Sequence, residues 1–341
     1  MMKEKISAFF GKLSALYKKY TAVVLLLLIA AAIALPLVVT STYYRSIFVR
    51  VILYSLLASS LNMINGYSGQ FNIGHIGFYC IGAYVYALCS MYFHLSFWIL
   101  LPLSGIVAAI FGYLISLPTL RLKGMYLAMV TLGASEIIRL IVVSWKKVTM
   151  GNNGITGVPV PTFFGIKLGD TLAFYYIILA LLILMLFISY RVLHSRIGSA
   201  WMAIREDQNA AAFLGVEVAK YKSLNFMYGA FWAGLAGCFC ASYYQYITPE
   251  MFNADKGNEI LSMVILGGQG TLVGPIIGAI TTTFLTEGLR FSDQYRMLIY
   301  AILIIAMMWF RPQGLAGARN SVFAAKGSVT KKASRKKGGA K

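Results

Sequence analysis

Acid is what this 341-residue sequence has least of. Eleven Asp and Glu residues stand against thirty Lys and Arg, giving a net charge of +19 at pH 7, and only 12% of the chain is charged. The apolar runs hold a single internal carboxylate, Glu136, with Glu259 and Glu287 near run ends, so an ion-coupled site built from intramembrane acids is disfavoured. Cysteine is scarce too. Cys80, Cys89, Cys238 and Cys240 all lie in apolar segments, without disulfide-framework or zinc-ligand spacing. Cys238 and Cys240, two residues apart, would point about 200° away from each other on a helix. There is no Walker-type glycine loop, no Ser/His/Asp set, no Gly-x-Ser-x-Gly and no carboxylate pair beside a nucleophile. The chain is therefore expected to be no enzyme, and to bind no metal or cofactor of its own.

What is present is apolar sequence. Hydrophobic residues make up 59% of the chain and the mean hydropathy is +0.73, which no ordinary soluble domain approaches. The expected fold is all-α, a polytopic transmembrane helical bundle. Its spans fall at about 21–40, 47–64, a third ending near 93, 97–117, 124–143, 172–190 and 223–245, then two meeting at a glycine turn within 259–279, and a last at 296–310. That makes ten, or eight if the glycine-broken pieces only dip in. The first run is long enough, at about 1.5 Å per residue, to cross a roughly 30 Å core, and is longer than a signal-peptide core. Basic residues set the orientation. The segments 1–20, 121–123, 191–222 and 311–341 carry 21 of the 30 Lys and Arg, which places them and both termini in the cytoplasm. The positive charge thus marks topology and anionic lipid rather than nucleic acid. The domain plan is a basic N-terminus (1–20), a membrane domain (21–310) and a basic tail (311–341) expected to be disordered.

Two internal stretches stand out. From Gly66 to Tyr84, five glycines with Gln70, Asn72 and His75 between them suit a tight turn or broken helix against protein or a water-filled cavity. The alternatives are glycines serving close helix packing and a His75 that is only a structural hydrogen-bonder. A second break, Gly267 to Pro275, echoes it: Gly69-Gln70 and Gly74 against Gly268-Gln269 and Gly274. Glu136 and Arg139, three apart within a span, are placed to neutralise each other, facing protein or water.

The other stretch is Arg191–Lys222, the longest polar internal segment. Ile197, Trp201, Ile204, Ala211 and Leu214 recur at helical spacing, with Arg205, Glu206 and Gln208 on other faces. This reads as a short amphipathic helix with turns, bracketed by Gly198 and Gly215, which is either a solvated loop or a docking element for a cytosolic protein. The loop 144–172, rich in Gly, Asn and Pro, reads as an ordered but irregular cap on the opposite side.

Together, GYSGQFNIGHIGFYCIGAY (66–84), RLKGMYLAMVTLGASEIIRL (121–140), SRIGSAWMAIREDQNAAAFLGVEVAKYKSLNF (195–226), MVILGGQGTLVGPIIGA (263–279) and FRPQGL (310–315) resemble LivM-type permeases, the membrane subunits of branched-chain amino acid ABC importers. The resemblance runs in order over about 45–315. It implies a bacterial cytoplasmic-membrane importer made with a LivH-like second permease, two cytosolic ABC ATPases that use ATP and Mg, and an extracytoplasmic amino acid-binding protein. It makes 196–215 the ATPase-coupling helix, with Arg196, Gly198, Arg205, Glu206, Asp207, Asn209, Ala210, Ala211 and Gly215 as its residues. Asn209 stands where the loop usually has an acid, and Glu206 and Asp207 are the candidate substitutes. Gly66, Gly69, Gln70, Asn72, Gly74, His75, Glu136, Arg139 and Gln269 become candidates for the translocation pathway. A urea or short-chain amide importer has similar permeases and is the alternative within the resemblance.

Overall fold

The computed structural model describes residues 32–36, 39, 41–163, 166–167, 169–288, 305, 314 and 315. The expected segment 1–20, most of the first and last spans and nearly all of the tail lie outside the described residues. Within them, six helices are long and apolar enough to cross a membrane. They are α1 (Thr42–Asn62, prolonged by a π-helical turn Met63–Tyr67), α2 (His75–Phe93), α3 (Phe97–Thr119), α4 (Met125–Ser144), α5 (Thr171–Leu193) and α8 (Val218–Tyr244). Between α5 and α8 lie α6 (Arg196–Glu206) and α7 (Gln208–Phe213), and α9 (Ala254–Gly267) and α10 (Gly274–Gly288) follow. The all-α expectation holds, apart from two-residue strands.

Small residues on α8 let it sit at the centre. A Cβ on Gly234 would meet Ala108 Cβ and the Ser104 carbonyl of α3, and one on Gly237 or Gly82 would strike the backbone of the neighbouring helix. Apolar attraction cannot favour helix association where the solvent is lipid tail, so close backbone approach through glycine supplies the van der Waals contact instead. α1, α2 and α8 accordingly bury most of their surface, whereas α3, α4 and α5 ring them with Ile, Leu, Met and Phe exposed.

α9 and α10, at 14 and 15 residues, reach only about 21–23 Å at 1.5 Å per residue. Their shared turn lies against the C-terminal end of α1, since Gly270 N–H donates to Asn62 Oδ1 (2.9 Å) and Asn62 Nδ2 to the Thr271 carbonyl (2.8 Å). The far end of α10 returns to the start of α1, where Glu287 accepts from Arg50 (2.9 Å) and from the Tyr43 hydroxyl (2.6 Å). The chain entering α9 is not α-helical but a two-residue strand and a 3-10 turn, Pro249–Phe252. Phe252 stacks edge-on to Tyr79 and tilts against Tyr84, so this segment descends beside α2 rather than beyond its end.

The loop 144–172 is irregular, as expected, but built from short pieces. A helical turn Lys146–Thr149 and a 3-10 turn Gly151–Asn153 lead to β1 (Ile155–Thr156), which pairs antiparallel with Tyr246–Ile247. Tyr86 Oη donates to the Pro159 carbonyl (2.7 Å) and Trp98 Nε1 to that of Thr162 (3.1 Å), fastening the cap to α2 and α3.

Candidate functional site

The polar segment after α5 forms two helices where one was expected. Ser195 caps α6, its Oγ accepting from Ile197 N (3.2 Å), and Gly198 packs on the Leu193 backbone so tightly that any Cβ there would overlap it. Asp207 then breaks the helix. Its backbone turns extended, and Oδ1 accepts from Asn209 N (2.8 Å) and Ala210 N (3.1 Å) to start α7. Those N–H bonds, from Ala210 and then Asn209, hold the Asp207 carboxyl below the usual carboxylate range, so the cap persists at neutral pH and is lost only as pH falls through that lowered value. α7 ends at Gly215 (φ +83°), with Val216 N donating to the Ala211 carbonyl and Gly215 N to that of Ala212, each 3.0 Å. This is a glycine-terminated Schellman cap.

Trp201, Ile204 and Ala211 are buried, Trp201 donating through Nε1 to the Tyr221 carbonyl (2.9 Å). Leu214 and Ile197 depart from the expected stripe. The break at Asp207 resets the helical phase, so Phe213 is 91% and Leu214 83% exposed beside exposed Glu206, Asp207, Asn209, Ala210 and Gly215. Arg196 is also exposed. The two side chains form an apolar tip on an otherwise polar segment.

Arg205 points the other way. Its Nη1 donates to the Gly66 carbonyl (2.5 Å) in the π-helical turn ending α1. Gly69 (φ +67°) lies under its aliphatic stem, where a Cβ would approach Arg205 Cγ to 3.0 Å, and Gly270 (φ +75°) faces its guanidinium. The two glycine breaks that echo each other in sequence therefore meet on one arginine. Beside it a cleft of about 290 Å³ is walled by Lys123, Arg205, Glu206, Asp207 and Lys222, with Gly69 and Gln70 at its edge. Lys222 is buried and donates to the Leu120 carbonyl (3.1 Å), a cation closing the C-terminal end of α3.

The polar residues of the first break are inside the protein. Asn65 uses its amide to hold Asn72 at both backbone atoms, accepting from Asn72 N (3.0 Å) and donating to its carbonyl (3.1 Å). Gln70 donates to Ser68 Oγ (2.8 Å), and His75 Nε2 meets Ser60 Oγ at 2.7 Å, the structural hydrogen bond weighed from sequence. Asn72 itself is fully buried, and neither its Oδ1 nor its Nδ2 has a partner among the described residues; nor has His75 Nδ1. A buried unpaired amide costs about 1–3 kcal/mol. Gly74 abuts the Thr131 carbonyl of α4.

Two expected pathway groups stand apart. Gln269 is exposed, because the positive φ of Gly268 turns it outward while Gly270 faces inward. Glu136 and Arg139 do pair on α4, Arg139 Nε to Glu136 Oε2 at 2.9 Å, rather than with the polar groups of the break. Asn62, Asn65 and Asn225, which brace the break, went unnoticed in sequence, although Asn62 and Asn65 repeat at helical spacing in an otherwise apolar run. Among the described residues no group of His, Cys, Asp and Glu could hold a metal.

Comparison with known proteins matches this sequence to a family. The family model described as the permease component of the branched-chain amino acid transport system covers residues 43–308. The chain is 36% identical over 314 residues to the high-affinity branched-chain amino acid transport permease LivM of Salmonella typhimurium, and likewise to LivM of Escherichia coli K12, covering 85% of this chain and 74% of each relative. It is 27% identical over 288 residues to LivH of Salmonella typhimurium, covering 77% of this chain and 91% of the relative. No solved structure matches. On the extent of these matches, the chain belongs to the family of branched-chain amino acid transport permeases, as a multi-pass membrane protein of LivM type.

Proposed function

We propose that this chain is the LivM-type membrane subunit of an ATP-driven ABC importer and passes Leu/Ile/Val-type amino acids inward. In this reading it works beside a LivH-like permease, two cytosolic ATPases supply ATP hydrolysis, an extracytoplasmic binding protein delivers the substrate, and the chain itself binds no cofactor. The observation that carries the reading is the division of labour on α6 and α7. Phe213 and Leu214 face out, where an ATPase would seat them, while Arg205, on the preceding helix α6, grips both glycine breaks. Movement of the docked segment is thereby delivered to the membrane interior, as alternating access requires.

The segment 191–222 and both termini are assigned to the cytoplasm of a bacterial inner membrane by their basic residues. Ten crossings fit this orientation. The α9–α10 turn meets Arg205 at the inner end, and Glu287 meets Arg50 near the outer start of α1, so the pair joins both faces although each helix is short. The chain before α9, with its 3-10 turn Pro249–Phe252, is sheltered by α2, as backbone outside an α-helix must be at membrane depth.

Gentle extraction from the native membrane followed by mass spectrometry tests the assembly. A second permease and two ATPases should co-purify; recovery of this chain alone would remove the docking role of 191–222. Asn72 supplies a finer test. If its unpaired amide meets substrate in transit, Asn72→Leu should raise thermal stability, relieving a cost of about 1–3 kcal/mol, yet lower uptake roughly 2- to 10-fold. Faster uptake, or a less stable protein, would place Asn72 outside the route. Removing the tail beyond Ala318 should leave uptake unchanged, and a dead importer would show that the tail has a role.

A further inference from the structure

Charge is distributed unevenly over the six spans. Glu136 is the only carboxylate in any of them, and with Arg139 it lies near the middle of the 20-residue α4. The two neutralise each other, yet their side chains stay 30% and 23% exposed, and ionised groups at that depth are costly against hydrocarbon. The same side of α4 exposes Met129, Ile137 and Leu140, and between them lies Gly133, where an added Cβ would meet nothing within 4 Å. The helix's other side is committed, with Gly74 against Thr131 and Gly77 against Ser135.

The other peripheral helices look different. α3 exposes Ile106, Ile110 and Leu114 and α5 exposes Leu184 and Phe187, unbroken apolar faces suited to lipid. A wall facing a water channel would be polar, which the α4 stripe is not. An open glycine notch beside an ion pair within an apolar stripe is what a packed helix–helix contact presents before its partner arrives: the notch admits a neighbouring backbone, and the neighbour shields the charges from lipid. Among the described residues none supplies that neighbour. Tyr175 of α5 bonds the Ala32 carbonyl (2.6 Å), and Leu315 N bonds that of Leu266 in α9 (2.8 Å), so the described parts of the two flanking segments lie against α5 and α9.

We propose that α4 is the seam between this subunit and a second, related permease, with a helix of that permease seated in the Gly133 notch and covering Glu136 and Arg139. The proposal rests on the reading of this chain as one of two permeases. Its similarity to both LivM and LivH relatives names the occupant, because two chains of one fold associate about a pseudo-twofold axis by presenting corresponding faces to each other. The glycine break at Gly74 would then be separated from the subunit seam by the thickness of α4 alone.

The test uses the complete importer purified from its native membrane. A cysteine placed at Met129 or Ile137 and loaded with a thiol-reactive photo-crosslinker should capture the second permease, whereas Ile110→Cys on α3 should give lipid adducts. Separately, Gly133→Leu should leave this chain's own melting temperature unchanged when it is purified alone, since no described residue lies within 4 Å of an added Cβ, while reducing recovery of the second permease at least tenfold. Adducts from α4 to lipid only, or to a second copy of this chain, would overturn the proposal, as would Gly133→Leu complexes that keep full partner content. If the unaltered importer yields no second permease, the paired-permease reading fails with it. If it does and α4 alone fails to capture it, only the seam is wrong.

Discussion

Arg205→Glu in the assembled importer should leave ATP hydrolysis running and cut amino acid uptake by roughly 10- to 150-fold. The estimate comes from one contact. A hydrogen bond with a charged partner contributes about 1.5–3 kcal/mol net, and each 1.4 kcal/mol is a factor of ten in the equilibrium it biases. Arg205 Nη1 to the Gly66 carbonyl is such a bond, and it joins α6 to the end of α1 across a gap that only glycines at 66, 69 and 270 leave open. Glutamate at 205 both removes the donor and aims a carboxylate at the carbonyl, so the expected effect lies toward the upper end. Glu206 sits next in sequence and faces outward. Its reversal, Glu206→Arg, should instead weaken ATPase retention during purification, with hydrolysis and uptake falling together. The two readouts separate transmission from docking. Proteoliposomes reporting uptake and phosphate release side by side make the measurement, and an Arg205→Glu importer with normal uptake per ATP would end the transmission role.

What could be read from the sequence followed the strength of the physical constraint. A 20-residue apolar run has few ways to behave in a bilayer, so α1 to α5 and α8 appear close to their expected places; α1 starts earlier, at Thr42, because the polar Thr-Tyr-Tyr-Arg start still forms a helical turn. The glycine breaks were visible because glycine and amides have no reason to occur in a lipid-facing helix. The partners within the breaks were not visible. That Asn65 would clasp the backbone of Asn72, or that Asn62 would hold Gly270 and Thr271, depends on which turns face each other, and periodicity along one segment carries no such information. Leu214 shows the same limit at short range. Its spacing from Ala211 and Ile204 is helical, but Asp207 ends one helix and begins another, and a single capping carboxylate is enough to turn an expected core residue into an exposed one. Gln269, a pathway candidate from sequence, is exposed beside Gly268, whose φ is +116°.

Gly74→Leu should abolish uptake while the ATPases still co-purify. Gly74 has φ −77°, so it is not there for a left-handed turn. It is there because α2 begins against α4, where a Cβ would overlap the Thr131 carbonyl, and a Cβ added at the following Gly77 would come to 3.0 Å from Ser135 Cα, tighter than ordinary contact. A carbonyl inside a helix cannot rotate away, so α4 or the break must move as a body; overpacking of well-packed sites costs about 1–3 kcal/mol, and a leucine against fixed backbone belongs at or beyond the top of that range. The break also holds Ile73 N on Thr131 Oγ1 (3.2 Å), and displacement would open this bond together with the Asn65–Asn72 clasp. Gly69→Leu makes an instructive contrast. Its obstruction is the flexible stem of Arg205, and its φ of +67° adds strain of about 1–2 kcal/mol, so it should injure transmission in the manner of Arg205→Glu. Gly169→Ala, where nothing lies within 4 Å, serves as the neutral control. Uptake at a tenth of normal or better in Gly74→Leu would mean that α2 and α4 can separate freely at this point, and the break would then be a flexible joint rather than a fixed wall of the pathway.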